Sequence, residues 1–517
     1  MTEDTTERIS PRYLIITAFC SGMTIMAIEM AASRLMAPYF GTSVFVWTNL
    51  LGIIMTALSI GYWLGGRLAD RHPTREFLYG LLFVSAVMLL CLPFIAPWIM
   101  DWVSRGVKEG EVSLVVYSFI SSLIIFCIPF SVLGMVSPTI IRLLSHAVEE
   151  SGRVAGKVYA ASTVGSIVGT FLPTLVFVPW IGTKKTIILF AIILLVISIV
   201  GLGRKLLCLT AVPFMGSFIL IPAHYFSTPD VLFQTESPYT YIKVTEDPYF
   251  GIMLQQDEGF AMHSFYNPDQ VLTGSYWDYL LPAPYFQKDK QEQQITVIGA
   301  AGGTAYRIWE ETLGDDFDFR FTGAEIDPVV VRLAHEYFGM SEYDNVEISA
   351  QDGRIFLKNQ PDGRFDVIFL DAYHQIYMPP HLTSLEFFQL TEQKLNPDGV
   401  FVANVNALFE DSDIYLRLIR TLQEVYDKVW VVKAGEHNFN YVFFASNSDT
   451  SLEEAIAAVP NDHALLRARM ADSIRLIGDL SDIALVTDDR PLTEVLFDRT
   501  IGEWLFQGRK SWGNYLQ

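Results

Sequence analysis

Residues 295–371 carry three carboxylates and a glycine-rich turn at spacings that could hold a nucleoside. ITVIGAAGGTAYRIW runs from an apolar strand through Gly299, Gly302 and Gly303 into a helical pattern. FTGAEIDPVVVRLA ends a second strand at Glu325, VEISAQDGRIFL follows a third with Asp352, and RFDVIFLDA ends a fourth at Asp371. Glycine lets a backbone approach a ligand closely, and the helix start beyond it offers free N–H groups. Glu325 stands where one carboxylate can accept both ribose hydroxyls. Asp352 stands where it can accept from an adenine amino group. The competing role for an acid at such places is a helix cap, open to Asp327 before Pro328 and to Asp352 before Gly353. The dinucleotide fingerprint G-x-G-x-x-G is not met, because Ala301 fills the place of its second glycine.

Positioning these residues requires alternating strands and helices. ITVIG, RFTGAE, VEISA, DVIFLD and GVFVANV read as strands with helical patterns between them, and VWVVKAG and NYVFFAS as two more. That alternation predicts a Rossmann-like α/β domain over 291–517, with ligands at the carboxyl ends of its strands. Residues 227–290 alternate over VLFQTESPYTYIKVTED and YFGIMLQQDEGFAMHS and then turn helical in TGSYWDYLLPAPYF. They predict a small β-rich entry module closed by a helix.

The first 226 residues are of another kind. Apolar runs near 13–33, 44–66, 77–100, 114–136, 155–181, 185–203 and 206–226 are each roughly 17–27 residues long, enough to cross a bilayer. The expectation is about seven spans, multi-pass in the cell inner membrane. Arg67, Arg71 and Arg75 after the second run, and Arg142, Arg153 and Lys157 after the fourth, place those loops and the amino terminus in the cytoplasm. Seven full spans would put the second half outside. Adenosine-type donors are cytosolic, so the catalytic half is assigned to the cytoplasm, and the run at 206–226, with Pro213 and Pro222, is taken as re-entrant or interfacial. Glu29 and Arg34 in the first run are five residues apart, on different helix faces, and are expected to pair elsewhere. The glycines of GYWLGG (61–66) and GSIVGT (165–170) suit close helix packing.

Charge divides with these halves. Residues 1–226 hold 15 basic and 11 acidic side chains; the remainder holds 21 and 46. So acidic a domain argues against nucleic acid as a partner and suits cationic substrates. All four cysteines (Cys20, Cys91, Cys127 and Cys208) lie in the first half, with no CxxC or Cys/His cluster, so no metal is expected.

These segments together resemble the spermidine synthase (polyamine aminopropyltransferase) family, in its membrane-fused bacterial branch. FQTESPYTYIKV is similar to the family's opening strand, SYWDYLLPAPYF to its gate helix, VIGAAGGT to its Gly-rich loop, and AEIDP, QDG and FLDA to its nucleoside-binding acids. IEMAASRLMAPYFGTS, VYAASTVGSIVGTFLP, PPHLTSLEFF and TDDRPL resemble elements of the branch. The resemblance implies a donor, decarboxylated S-adenosylmethionine, and release of methylthioadenosine after an amine attacks the aminopropyl carbon. It implies donor binding by Gly299, Gly302, Gly303, Glu325, Ile326, Asp352, Gly353 and Asp371. Proton transfer falls to Asp371, His374 or Tyr276, and a homodimer is implied as well.

The chain departs from the family at the polyamine half of the site. No acid lies between Gly299 and Ala305, where the family carries one for the donor's amine, and DAYHQIYMPPHL lacks the second acid after Asp371. Asp257, Glu258, Asp278 and Asp371 are the acids left to face a cation. Without the loop acid, intact S-adenosylmethionine becomes a plausible donor, for methyl transfer or for an acceptor-free intramolecular reaction. A third reading makes the second half a nucleoside sensor on a transport-like membrane domain, since RLADR (67–71) resembles a cytoplasmic loop of major-facilitator transporters.

Overall fold

Between Pro11 and Leu202 the apolar runs become helices that satisfy their own backbone hydrogen bonds, as a bilayer interior demands. The structure, a computed structural model, describes residues 10–40, 44–108, 114–145, 147, 150–203, 230–256, 262–287, 289–373, 378–407, 409–435, 439–478, 480–490 and 496. The chain forms two compact units: Met1–Ser227 with Thr235–Tyr241, and the remainder.

In the first unit the helices are α1 (Pro11–Phe40), α2 (Val44–Arg71), α3 (Arg75–Lys108), α4 (Leu114–Gly134), α5 (Val136–Leu144), α6 (Ser151–Leu172) and α7 (Thr183–Leu202). A π turn over Pro173–Phe177 and a short helix, Val178–Ile181, extend α6. Among the described residues six helical stretches are long and apolar enough to cross a membrane. They coincide with the first six expected runs; the seventh, 206–226, lies outside the described residues. Trp98, Trp102 and Trp180 are more than two-thirds exposed near helix ends, the position aromatic side chains favour at a membrane interface.

Of the glycines flagged in the sequence, Gly61, Gly65, Gly165 and Gly169 sit at close helix crossings, while Gly66 faces open space. A Cβ on Gly165 would lie 2.0 Å from the Phe19 carbonyl oxygen, and one on Gly169 2.0 Å from that of Met23, so α6 rides directly on the α1 backbone. Gly61 and Gly65 do the same for α2 against Ser131 and Met135. Small residues one turn apart permit this approach, and any side chain forbids it. Arg34 donates to the Ser237 carbonyl at 2.7 Å and to that of Pro238, so it pairs as expected. Glu29 does not: its Oε2 is buried without a partner among the described residues.

The second unit contains a four-stranded sheet in the order β1 (Val231–Glu236), β2 (Tyr241–Asp247), β3 (Gly251–Gln256), β4 (Met262–Tyr266). It also holds an eight-stranded mixed sheet of β5 (Glu292–Ile298), β6 (Asp318–Glu325), β7 (Val346–Ala350), β8 (Phe365–Leu370), β9 (Leu395–Asn406), β10 (Lys428–Lys433), β11 (Asn440–Ser446) and β12 (Ile474–Leu476). Its order is β12-β10-β11-β9-β8-β5-β6-β7. The run β9-β8-β5-β6-β7 is parallel, and β10, β11 and β12 join antiparallel.

Alternate residues feed two cores. Val297, Val367, Phe369 and Val402 face one, while Ile298, Ile368, Leu370 and Phe401 face the other. Burial on both sides explains the near-continuous apolar runs. The helices are α8 (Thr304–Leu313), α9 (Pro328–Tyr337), α10 (Gly353–Lys358), α11 (Leu385–Lys394), α12 (Asp413–Gln423), α13 (Leu452–Ala458) and α14 (Ala464–Ser473). Two features differ from expectation. TGSYWDYLLPAPYF is a pair of 3₁₀ turns, Tyr276–Leu280 and Ala283–Gln287, because Pro282 and Pro284 remove the donors a continuous helix needs. The edge strand β12 is three residues long, too short to show a period.

Gly169→Val should force α6 off α1. A loss of about 1–3 kcal/mol is expected from overpacking, read as a lower unfolding temperature of the full chain in detergent. An unchanged temperature would mean that the crossing is not as close as described.

Candidate active site

The order of the parallel strands puts the sequence-selected groups on one sheet edge. Gly299 follows β5, Glu325 ends β6, Asp352 follows β7 and Asp371 follows β8, and these four strands are neighbours. All run the same way, so their carboxyl ends share an edge.

The glycine-rich turn is built by backbone needs. Gly299 has φ +86° and Gly303 φ +87°, and Ala301 is the one described non-glycine residue at positive φ. A Cβ on Gly299 would come within 2.6 Å of the Asp371 carbonyl oxygen, so β5 and β8 leave no room for one. The Gly302 N–H donates to Ser264 Oγ at 2.7 Å. Among these loop residues no acid appears; a hydroxyl from β4 meets the turn instead.

Glu325 is 7% exposed and grips this turn. Its Oε2 accepts from the Ala301 N–H at 3.1 Å and its Oε1 from the Asp327 N–H at 3.1 Å. Burial pushes its carboxyl up to about 7, against the pull of those N–H donors. Ile326 follows it and is 43% exposed, an apolar side chain left uncovered at the edge. Asp327 is spent as the cap of α9, accepting from the Val329 N–H at 2.9 Å.

Asp352 fills both competing roles at once. Its Oδ1 caps α10, accepting from the N–H groups of Arg354 and Ile355 at 3.0 Å, with Gly353 buried between. Its Oδ2 lies 2.9 Å from His381 Nε2. Arg354 in turn donates to the His381 carbonyl and, through two 2.7 Å bonds, to Asp488. Asp488 also accepts from Ser384 Oγ at 2.6 Å. PPHLTSLEFF and TDDRPL, distant in sequence, therefore meet beside Asp352.

Asp371 is the most heavily supported carboxylate of the edge. Its Oδ2 accepts from the Tyr276 hydroxyl at 2.9 Å and from Trp277 Nε1 at 3.1 Å. Its Oδ1 accepts from Asn404 Nδ2 at 2.9 Å. A carboxylate offers about four acceptor positions, so one on Oδ1 is unfilled among the described residues. Burial raises the carboxyl to about 7, while the three donors pull the other way. Asn404 is oriented from behind: its Oδ1 accepts from Asn440 Nδ2 at 2.9 Å, which leaves its amide N–H₂ for Asp371. Tyr373 braces the same strand, donating to the Asn404 carbonyl at 2.8 Å.

Tyr276 and Asp371 are thus brought together, whereas His374, Asp257 and Glu258 lie outside the described residues. Asp278, expected to be available to a cation, is not. It is 5% exposed and spends both oxygens on Thr273 and Gly274 in its own turn. Trp277 and Asn404 were not singled out in the sequence. The one signal for Asn404 was a polar residue inside the apolar strand GVFVANV. Among the described residues no group of three His, Cys, Asp or Glu side chains is placed to hold a metal ion.

A glycine turn and strand-end acids on the carboxyl edge of a mixed α/β sheet define a methyltransferase-like nucleoside fold. Comparison with known proteins narrows this. Residues 285–451 match the Spermine/spermidine synthase domain, and residues 5–170 match the Major Facilitator Superfamily. The chain is thus similar to a spermine/spermidine synthase domain over 285–451, preceded by a region similar to the Major Facilitator Superfamily. A probable polyamine aminopropyl transferase of Bifidobacterium longum is 31% identical over 40% of this chain and 45% of its own length. A polyamine aminopropyltransferase of Vibrio vulnificus is 29% identical over 34% of this chain and 54% of its own. The chain spans about half the length of these two curated relatives. The crystal structure of a probable spermidine synthase from Corynebacterium glutamicum is 22% identical, covers 49% of this chain and 99% of its own, and has a TM-score of 0.38.

Asn404→Leu would strip Asp371 Oδ1 of its donor and leave the Asn440 amide unanswered. The expected loss is about 1–3 kcal/mol, seen as a lower unfolding temperature of the second unit. No change would show that this network does not support the strand ends.

Proposed function

We propose that this protein is a membrane-anchored aminopropyltransferase. It takes decarboxylated S-adenosylmethionine and an amine and releases methylthioadenosine. The observation that carries the reading is Asp371, oriented by three donors with one acceptor position open, on the edge that also bears the glycine turn and Glu325.

On this reading Glu325 takes the ribose hydroxyls, Asp352 Oδ2 the adenine amino group, and the N–H groups of Gly299–Gly303 the donor's backbone-facing side. Ile326 packs on the base. The donor's sulfonium makes the adjoining carbon electrophilic. The amine nitrogen attacks that carbon, the C–S bond breaks with its electron pair going to sulfur, and the proton leaves the nitrogen for Asp371 Oδ1. Holding both cations in line supplies much of the rate. Tyr276, whose hydroxyl is raised well above its ordinary value by burial and by Asp371, stays protonated and orients that carboxylate.

A membrane location is supported by the six apolar helices and the transporter-like match. An even number of spans would return the chain to the cytoplasmic side, where an adenosine-type donor is made. The domain boundaries we adopt are 1–226, 227–290 and 291–517.

A second reading rests on one observation: the turn 299–305 carries no acid, and Ser264 meets Gly302 there. Nothing in that turn would repel the carboxylate of intact S-adenosylmethionine, so methyl transfer or an acceptor-free reaction is the alternative.

Purified protein incubated with each donor, with and without putrescine, separates these readings by mass spectrometry. Methylthioadenosine plus an aminopropylated amine, from the decarboxylated donor alone, is expected. S-adenosylhomocysteine, or turnover without amine, would overturn aminopropyl transfer. Asp371→Asn should lower kcat/KM by about 10²–10⁴-fold, and wild-type turnover in that variant would remove Asp371 from the chemistry. Because the carboxyl sits at about 7 and the ionised form is the active one, activity should rise with pH through that value. Tyr276→Phe deletes a bond that favours the ionised form, so the acid limb should move to higher pH. A limb near the ordinary carboxylate value would contradict the assignment.

A further inference from the structure

The His381 ring is bound to Asp352 although its segment needs no such tie. His381 sits in the 3₁₀ turn Pro380–Leu382, where Pro379 and Pro380 fix the backbone. Thr383 closes the turn, its N–H and its hydroxyl both donating to the Pro380 carbonyl. Arg354 fastens the turn to α10 without the imidazole. It donates to the His381 carbonyl at 3.1 Å and makes two 2.7 Å bonds to Asp488, which accepts from Ser384 Oγ at 2.6 Å. That clamp is sheltered, for the Arg354 side chain is 15% exposed. The imidazole is 47% exposed, and the Asp352 carboxylate it meets at 2.9 Å is 24% exposed.

The pair presents two complementary groups side by side. An ionised carboxylate only accepts, so the proton of the 2.9 Å bond belongs to His381 Nε2. Asp352 Oδ1 is committed to the N–H groups of Arg354 and Ile355, which leaves Oδ2 as the acceptor and Nε2–H as the donor. An acceptor beside a donor complements the Watson–Crick edge of a 6-aminopurine, whose amino group donates and whose N1 accepts. The same sheet edge leaves apolar surface for a flat ring. Ile326, after β6, is 43% exposed, and Ile355, in the first turn of α10, is 56% exposed.

We propose that His381 is a second base-reading residue, which makes the site specific for nucleosides of a 6-aminopurine with an unsubstituted N1. Its Nε2–H turns from Oδ2 to N1 as Oδ2 takes the 6-amino group. The inference rests on the function proposed above only in placing a nucleoside base at Asp352. The exchange is inexpensive because neither group is unpaired in either state: each holds the other when the site is empty and the base when it is full. A base with no acceptor at N1 leaves the Nε2–H unanswered, and a site built to hydrogen-bond its ligand rejects an analogue that lacks the matching group.

The test is calorimetric titration of the full chain in detergent with three nucleosides. They are methylthioadenosine, its 1-deaza analogue, in which C–H replaces N1, and the analogue with hydrogen in place of the 6-amino group. Wild type should bind the 1-deaza analogue roughly tenfold more weakly than methylthioadenosine. In His381→Ala the affinity for methylthioadenosine should fall by a similar factor and the 1-deaza penalty should vanish, while the penalty for losing the 6-amino group persists. His381→Gln, which keeps an N–H at similar reach, should restore part of the 1-deaza penalty. Uniform weakening of all three ligands in His381→Ala would reduce His381 to a brace and overturn the proposal. So would a wild type that binds methylthioadenosine and its 1-deaza analogue alike, a result that requires no variant and leaves the proposed function standing. A wild type that binds none of the three would remove that function and this inference together.

Discussion

A carboxylate walled in by protein is useful to an amine reaction only if something keeps it ionised and aimed. Asp371 meets that constraint through three donors from two elements: Tyr276 and Trp277 on the 3₁₀ turn, and Asn404 on β9. Each donor needs its own support. Asn404 is turned the right way by Asn440 on the antiparallel strand β11, and the Tyr276–Trp277 turn is closed by Asp278 accepting from Thr273 and Gly274. The antiparallel extension of the sheet is therefore part of the site and not only an edge cover. Desolvation and hydrogen bonding oppose one another here, and their balance leaves the carboxyl near neutrality.

The same opposition operates at Glu325, with backbone N–H groups in place of side-chain donors. Those N–H groups belong to the turn that Glu325 would share with a ligand. The carboxylate thus shapes the turn before anything binds, which is the economy of placing an acid at the end of a strand beside a glycine loop. Asp352 differs because half of it is a helix cap. Only Oδ2 is left outside the cap, and His381 stands against it. The Arg354–Asp488 pair then ties this corner to a segment 134 residues further along the chain.

Much of this architecture was legible because it follows from burial. β8 is buried along its whole length and β5 and β6 are buried towards their carboxyl ends, where Gly299 follows β5, Glu325 ends β6 and Asp371 follows β8, so their boundaries and their chemistry coincide in the sequence. The first six membrane-length helices were legible for the same reason, and so were Gly165 and Gly169 at the α1 crossing. What could not be read were choices made by tertiary contacts. Asp278 looked available because the three bonds it accepts come from its own turn, which only the folded backbone reveals. Asn404 and Trp277 carry no local motif; their meaning comes from strands and turns brought together from elsewhere. Pro282 and Pro284 were visible, but the helical pattern around them outweighed the donors they remove.

Glu29 and Asp371 carry the same functional group under opposite conditions, and the contrast separates what each can do. Asp371 has three hydrogen bonds, so its charge is tolerated within protein and its orientation is fixed; such a group is organised in advance for a reaction. Glu29 has a buried oxygen with no donor among the described residues, in an apolar helix. Its charge is tolerated there only when a proton or another cation accompanies it, so nothing holds it ionised in the way the three donors hold Asp371.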